Sequence, residues 1–250
     1  MITLKSSHEI DLMRRAGKIT AAARALAGEM VRPGVTTQEI DSAVEHFIRK
    51  QGAVPSFFHY NGYPASICIS VNDEVIHGIP GKRVLKEGDI VSVDVGAVVD
   101  GFHGDCAATF ACGAISKEAQ DLIDVTRQSF FEGIKRAKEG NRLFDISAAI
   151  QTYAESHGYS IVREYVGHGI GRQLHESPEV PNFGQSGRGP RLLRGMTLAI
   201  EPMVNAGTAA IRVLPDGWTV KTLDGKLSAH YENTVLITDG EPEILTAPAI

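Results

Sequence analysis

The strongest constraint on the fold is a repeat within the chain. A shift of 106 positions brings seven residues of the first half onto similar residues of the second. The matching pairs are Gly34 with Gly140, Glu39 with Asp145, Ile40 with Ile146, Ala43 with Ala149, Val44 with Ile150, Phe47 with Tyr153 and Gly52 with Gly158. The apolar members recur at intervals of three and four, which predicts an amphipathic helix ending at a glycine in each copy.

Both halves continue in the same order after that helix. A His-Gly-Ile sequence follows, at His77 and at His168, and an apolar strand then delivers a carboxylate, Asp94 in one half and Glu201 in the other. This shared order favours a duplication over a chance match. We therefore expect one domain over residues 1–250, with pseudo-twofold halves of roughly 1–113 and 114–250.

Capping and turn signals complete the predicted architecture. Ser6 with Glu9 has the capping-box spacing for a helix running to residues 33–34, and another helix begins near Ser116. Asp100-Gly101 and Asp224-Gly225 each predict a two-residue hairpin, and the second would pair residues 218–223 with 226–237. Helices followed by antiparallel hairpins indicate an α+β fold, with helices on the outer face of a central antiparallel sheet.

Composition excludes several classes of protein. The formal charge of −5 argues against nucleic-acid binding, and no apolar run is long enough to cross a membrane. Charged residues occupy the N-terminus where a signal peptide needs an apolar core. The three cysteines, Cys68, Cys106 and Cys112, are an odd number without metal-type spacing, which favours a reducing compartment. We expect a cytoplasmic protein.

The first candidate site lies on the hairpin that turns at residues 100–101. A two-residue turn pairs position 96 with 105 and 94 with 107, so Asp94 and Asp105 are diagonal neighbours on one sheet face. Two carboxylates at such a short distance on apolar strands repel each other, and they require a cation or a shared proton. Surface aspartates beside a turn are the alternative, but the strand around Asp94 is apolar on both sides.

The second half supplies three more groups of the same kind. Glu201 ends a strongly apolar strand, Glu232 lies inside another, and His168 sits in a glycine-rich bend where the glycines leave backbone room beside a crowded centre. Singly each is more often a structural residue, but four carboxylates on buried strands with one histidine indicate a metal centre. Such ligands suit manganese, iron(II) or cobalt(II), with zinc or nickel as further options.

Two cations bridged by carboxylates would lower the pKa of a shared water and provide a hydroxide nucleophile. This fits the sequence, which has no Gly-x-Ser-x-Gly elbow and no cysteine in a recognisable catalytic setting. The glycines around His168 lack the ending of a phosphate loop. The predicted chemistry is therefore hydrolysis by two metal ions.

At these residues the sequence resembles the type I methionine aminopeptidases of the short bacterial kind, which have the pita-bread fold. The resemblance covers nearly the whole chain. It rests on motifs at residues 60–68, 72–80, 100–105, 167–171, 200–204 and 231–232. It implies that Asp105 and Glu232 bridge two divalent cations, that Asp94 binds one, and that His168 with Glu201 binds the other.

The resemblance also implies roles around the metals. His77 would contact the scissile amide nitrogen, His175 would support the oxyanion, and Glu201 would be catalytic as well as a ligand. The walls of the methionine pocket would be Tyr60, Tyr63, Cys68, Trp218, Phe57 and Leu174, together with His77 and His175. Without the family resemblance, we would interpret the two histidines as loop residues and the residues of the pocket wall as ordinary core residues.

Four positions depart from the family pattern without removing a ligand. Phe57 stands in place of a cysteine, Leu174 in place of an aromatic residue, Cys106 in place of a small hydroxyl residue, and His230 in place of a glutamine. We expect these departures to bear on pocket shape, inhibitor preference and thiol sensitivity and to leave the reaction unchanged. The sequence also has neither the N-terminal zinc-binding extension nor the long insertion of type II enzymes, which indicates the short type I form.

Two rival functions share parts of this pattern. Prolidases and Xaa-Pro aminopeptidases have the same five ligands but usually carry a separate N-terminal domain, and residues 60–68 favour methionine. Non-catalytic pita-bread proteins act as binding modules, but they lose ligands that this chain keeps. The resemblance implies that the substrates are nascent polypeptide N-termini, met at the ribosome, and that the enzyme is a monomer.

Overall fold

A computed structural model describes residues 1–247 of the chain. The helices are α1 (Ser7–Met30), α2 (Thr37–Lys50), α3 (Lys117–Ile134) and α4 (Leu143–Ser156). The strands are β1 (Val54–Pro55), β2 (Cys68–Val71), β3 (Glu74–Ile76), β4 (Ile90–Val99), β5 (Phe102–Ala111), β6 (Ser160–Ile161), β7 (Gly167–Gly169), β8 (Glu176–Val180), β9 (Thr197–Ile200), β10 (Met203–Asn205), β11 (Ile211–Val213), β12 (Val220–Thr222), β13 (Ser228–His230), β14 (Asn233–Leu236) and β15 (Glu243–Ile244).

The helices begin where their capping residues predict, but α1 ends at Met30 with Val31 as its C-cap, and its predicted end at residues 33–34 is wrong. At the start of α1 the Ser6 hydroxyl accepts the Glu9 backbone N–H and the Glu9 carboxylate accepts the Ser6 N–H, which is a complete capping box. Ser116 caps α3 in the predicted position. Gly52 and Gly158 follow α2 and α4 with φ of 75° and 84°, a left-handed conformation that glycine adopts without a steric cost. The predicted helix pair of each half is confirmed.

All strand pairings within residues 1–247 are antiparallel. The strands form four small sheets, in the orders β1-β4-β2 with β5 on β4, β13-β10-β6, β11-β12-β3, and β15-β14-β9-β7-β8. The hairpin of β4 and β5 turns at Asp100 and Gly101, both with positive φ, and pairs Gly96 with Asp105. The predicted register of this hairpin is confirmed.

The second predicted hairpin, at Asp224-Gly225, is wrong. The chain does turn there, because the Asp224 carboxylate accepts the backbone N–H groups of Thr208 and Lys226 at 2.8 and 3.1 Å. The flanking segments do not pair with each other, however. β12 pairs with β11 and with β3 of the first half, whereas β13 pairs with β10. Because β11 and β3 occupy the two edges of β12, no edge of β12 is left for the segment that follows the turn.

The apolar core divides along the chain. One cluster of buried residues lies between positions 16 and 112, where α1 and α2 cover β4 and β5. Apart from Ile90, the buried members of the largest cluster lie between positions 119 and 237, where α3 and α4 cover the strands of the second half. The helices thus lie on the outer faces of the sheets. The division near residue 113 stays a prediction, and residues 248–250 of the predicted second half lie outside the described part.

A seam of hydrogen bonds joins β5 to residues 230–234 of the second half. The pairs along the seam are Thr109 with His230, Ala107 with Glu232, and Asp105 with Thr234. Because Glu232 bonds to Ala107 through its backbone N–H and C=O, the predicted long strand breaks into β13 and β14 at this point. The break brings Glu232 next to Asp105.

The buried guanidinium of Arg24, on α1, supports this break. It donates to the backbone oxygens of Ala107 and Glu232 at 3.1 and 2.9 Å and to Oδ1 of Asn233 at 3.2 Å. These bonds fix the backbone on both sides of the seam. Among residues 1–247, no helix has the length and apolar character of a membrane span.

Candidate metal centre and active site

A cavity of about 410 Å³ opens where the two halves meet. Its lining includes every site residue predicted from the sequence, although those residues come from ten separate strands, turns and loops. They are Phe57, Tyr60, Tyr63, Cys68, His77, Asp94, Asp105, His168, Leu174, His175, Glu201, Trp218 and Glu232. A single cavity therefore gathers all of these groups.

The four carboxylates reach the cavity from backbone positions fixed by strand pairing. Asp94 and Asp105 come from the β4–β5 hairpin, and Glu232 comes from the break between β13 and β14. Glu201 directly follows β9, where its backbone oxygen accepts a hydrogen bond of 3.0 Å from the Asn182 side chain. Each carboxylate is thus held by a rigid element of the fold.

His168 approaches the carboxylates through its Nε2 atom. This atom lies 3.6 Å from Oε1 of Glu201 and 3.9 Å from Oδ2 of Asp105. On the other side of the ring, Nδ1 lies 2.9 Å from the backbone oxygen of Gly169, so we assign the proton to Nδ1. Burial lowers the pKa of His168 to about 3. The neutral ring therefore turns a lone pair towards the carboxylates.

The glycines beside His168 are required by close packing. A Cβ at Gly167 would clash with the backbone oxygen of Ala199 on β9, and a Cβ at Gly169 with that of Ser177. The prediction that these glycines provide backbone room is confirmed. His168 itself lies on the short strand β7, with a register irregularity after it, and not in an open bend.

Three carboxylate oxygens in the cavity are buried without a hydrogen-bond partner among residues 1–247. They are Oδ1 of Asp94, Oδ1 of Asp105 and Oε1 of Glu232. Burial, with the neighbouring carboxylates, raises the pKa of Asp105 and of Glu232 well above the ordinary range. Burial also raises the pKa of Asp94 to about 7 and that of Glu201 to about 8. Without a cation, these groups would hold protons at neutral pH.

The donor set fits divalent cations. Asp105, His168 and Glu232 offer ligand atoms within 4.8 Å of one another, and all three are buried. Buried oxygens without partners are costly, and a cation would satisfy them. Carboxylates with one imidazole are ligands for hard or borderline ions such as Mn(II), Fe(II) or Co(II).

Two histidines flank the carboxylates. His77 adopts a left-handed backbone conformation with φ of 60°, uncommon for a residue with a Cβ, and its ring meets Trp218 and Tyr165 edge-on. Burial lowers its pKa to about 4, so the ring is neutral. Nδ1 of His175 lies 2.8 Å from the Tyr60 hydroxyl. The His175 ring also lies beside that of His168, with centroids 4.1 Å apart.

An apolar recess adjoins the histidines. Tyr63 and Trp218 meet edge to face with ring centroids 5.1 Å apart, and Phe57 and Leu174 are buried in the same cluster. Cys68 pairs with Asp94 in the β2–β4 register, and burial raises the pKa of its thiol well above the ordinary value. The recess therefore presents aromatic faces and a protonated thiol.

Several residues that line the cavity do not follow from the sequence pattern. They are Asn61, Ile76, Glu164, Tyr165 and Val166. Adjacency is the available signal, because Ile76 precedes His77 and residues 164–166 immediately precede the strand of His168. The sequence marks His230 only as a departure from the family pattern, yet its Nε2 faces Glu201 and Glu232.

Fold and site together define a metal-dependent hydrolase. The family model described as "Metallopeptidase family M24" matches residues 11–239. The chain therefore belongs to metallopeptidase family M24 and, by the relatives described next, to its methionine aminopeptidases. The predictions of a metal-dependent aminopeptidase and of an α+β pita-bread fold are thereby confirmed.

The similar proteins match along the full chain. A methionine aminopeptidase of Clostridium perfringens is 61% identical, covering 98% of this chain and 99% of that protein. Methionine aminopeptidase 1 of Bacillus subtilis is 52% identical with the same coverage. The crystal structure of a methionine aminopeptidase from Rickettsia prowazekii superposes with a TM-score of 0.97 at 41% identity, covering 99% of this chain and 100% of that one.

A prolidase from Pyrococcus furiosus superposes with a TM-score of 0.79 at 21% identity. The superposition covers 99% of this chain and 66% of the prolidase. At this identity the likeness shows the fold alone. The rival prolidase function therefore draws no support from it.

Proposed function

We propose that this protein hydrolyses the peptide bond after an N-terminal methionine, using two divalent cations held by Asp94, Asp105, His168, Glu201 and Glu232. The observation that carries the proposal is the convergence of four carboxylates and one neutral imidazole in a single cavity, with three buried oxygens lacking partners among the described residues. The relatives named above are methionine aminopeptidases, which supports the same substrate.

The family resemblance assigns Asp105 and Glu232 to both cations, Asp94 to one, and His168 with Glu201 to the other. When bound, manganese, cobalt or iron(II), or else zinc or nickel, would supply Lewis acidity and lower the pKa of a shared water, so that hydroxide is available near neutral pH. The resemblance also gives Glu201 a catalytic role in addition to its role as a ligand.

The histidines act on the substrate on either side of the scissile bond. His77 lines the cavity beside Trp218 and would contact the amide nitrogen. His175 would donate to the oxygen that becomes negative as the carbonyl is attacked. Burial raises the pKa of Tyr60, so its phenol stays protonated and can donate to Nδ1 of His175. That bond leaves the His175 proton on Nε2, where a substrate can receive it.

The recess suits an unbranched apolar side chain. Tyr63 and Trp218 offer ring edges and faces, and Cys68 offers a polarisable thiol, all of which contact a thioether favourably. Phe57 and Leu174 close the recess with apolar surface. A methionine side chain fills an irregular space of this kind because it has three flexible bonds.

The natural substrates would be N-termini of nascent chains, met at the ribosome in the cytoplasm by a monomeric enzyme. The three cysteines are unpaired thiols, which fits a reducing compartment. The net charge of −5 argues against a nucleic-acid partner.

A panel of peptides tests the substrate assignment. The metal-loaded protein is assayed on Met-Ala, Met-Lys, Leu-Ala and Ala-Pro peptides, and the released amino acid is identified. We expect kcat/KM to be highest for Met-Ala and lower for Met-Lys, because the resemblance implies a preference for a small second residue. Leu-Ala should fall by about 10- to 200-fold, the usual discrimination by an apolar pocket. Equal values for the Met and Leu peptides, or a preference for Ala-Pro, would refute the assignment.

A further inference from the structure

The side chain of His230 belongs to none of the roles assigned so far, yet it is buried beside the metal centre. The residue is 2% exposed. Its Nε2 atom is buried and has no hydrogen-bond partner anywhere in residues 1–247. The seam with Thr109 holds its backbone N–H and C=O in place. A buried polar atom without a partner requires an explanation, because native proteins contain few of them.

The distances from His230 show which groups it faces. Its Nε2 lies 3.7 Å from Oε2 of Glu201 and 3.9 Å from Oε2 of Glu232. Both distances exceed those of a hydrogen bond. His168 stands towards its own carboxylates in the same way, at 3.6 Å from Oε1 of Glu201 and 3.9 Å from Asp105. Glu201 therefore has an imidazole Nε2 near each of its two oxygens.

Such spacing fits a shared cation better than a shared proton. Two ligand atoms that each lie about 2.1 Å from one cation are at most about 4.2 Å apart. The distances around His168 and those around His230 both fall below this limit. Ligand atoms of Glu201, His230 and Glu232 also lie within 4.8 Å of one another, as those of Asp105, His168 and Glu232 do. The two trios are alike in chemistry and in spacing.

We propose that His230 is a sixth metal-binding residue, with its Nε2 joining Glu201 and Glu232 around one cation. This inference rests on the proposed cation pair and adds a second imidazole to it. Imidazole favours cobalt, iron, nickel and zinc, whereas carboxylates favour manganese and magnesium. His230 would therefore shift the selectivity of the centre from manganese towards cobalt and iron(II).

The test counts metal-bound imidazoles in the cobalt-loaded protein. The metal-free protein is loaded with Co(II), its cobalt content is measured, and proton NMR records the exchangeable ring N–H signals that carry a large contact shift through a Co–N bond. The variants are His230→Gln, which keeps a hydrogen-bond donor but loses the imidazole, and His46→Gln, an exposed position on α2 that serves as the matched control. We expect two such signals in the wild type and the control, and one in His230→Gln.

Affinity provides a second readout. Competition with a chromophoric chelator should show Co(II) binding weakened at least about tenfold in His230→Gln, and Mn(II) binding weakened less. An unchanged Co(II) affinity would overturn the proposal. So would a single contact-shifted N–H in a wild-type protein that binds cobalt. Failure of the wild type to bind cobalt at all would remove the cation pair, and the proposed function with it. If His230→Gln does not fold by circular dichroism, the wild-type signal count alone decides.

Discussion

Replacing Tyr60 with phenylalanine removes the hydroxyl that lies 2.8 Å from Nδ1 of His175 and leaves the ring in place. A net hydrogen bond is worth about 0.5–1.5 kcal/mol. If that bond orients the His175 imidazole for the transition state, kcat should fall about 2- to 13-fold. Removing the imidazole itself by His175→Ala should cost about 2.7–4 kcal/mol, or roughly a hundredfold to a thousandfold in kcat. KM and metal content should change little in either variant.

A double-mutant cycle separates this role from simple contact with substrate. Because Tyr60 would act through His175, the Tyr60→Phe change should have no further effect in the His175→Ala background. The assay is kcat and KM on a Met-Ala peptide with metal stoichiometry measured on each preparation, and Tyr153→Phe on α4 is the matched control. Independent, additive losses would refute the positioning role of Tyr60. A wild-type kcat in His175→Ala would refute the oxyanion role. Loss of metal from this variant would instead identify His175 as a metal ligand.

Three other predictions concern stability, each measured by urea unfolding. The metal-free protein should lose stability from about pH 4 to pH 8, because burial raises the pKa of Asp94 to about 7 and of Glu201 to about 8, so the folded state retains protons that the unfolded state releases. A free energy of unfolding that does not change with pH, or that Mn(II) does not raise at pH 8, would contradict this prediction. Arg24→Met should cost about 1.5–3 kcal/mol because it removes the hydrogen bonds that a buried, charged guanidinium donates to the backbone oxygens of Ala107 and Glu232. The exposed control Arg15→Met should cost under about 1 kcal/mol, and equal losses would refute the difference. Gly104→Ala should cost about 1–3 kcal/mol, because the added Cβ would lie 2.9 Å from a backbone nitrogen of α1. An unchanged urea midpoint would contradict this and show that α1 shifts freely.

Local sequence rules are sufficient to predict the part of the site that lies on the β4–β5 hairpin. A two-residue turn at Asp100-Gly101 fixes the register of the hairpin, and the register fixes which face each carboxylate occupies. For this reason the amino-acid sequence alone predicts that Asp94 and Asp105 lie side by side. The helix boundaries at Ser6 and Gly158 follow in the same way, because capping depends on residues within one turn of the helix end.

Long-range pairing decides what local rules cannot. The sequence predicts Glu232 inside a continuous strand, but its backbone pairs with Ala107 and breaks that strand. The turn at Asp224 is predictable, whereas the pairing of β12 with β3 is not, because β3 lies about a hundred and fifty residues earlier in the chain. The position of His230 against two carboxylates depends on the same long-range seam. No periodicity in the sequence could indicate it.

The dependence of peptide hydrolysis on the cation centre is the central claim, and one titration tests it directly. Free methionine released from a Met-Ala-Ser peptide is measured after exhaustive chelation and during stepwise addition of Mn(II), Co(II) or Fe(II). We expect no turnover in the metal-free protein and a rate that rises with added metal until two equivalents are bound. Full activity in a preparation shown to contain no metal would contradict the account.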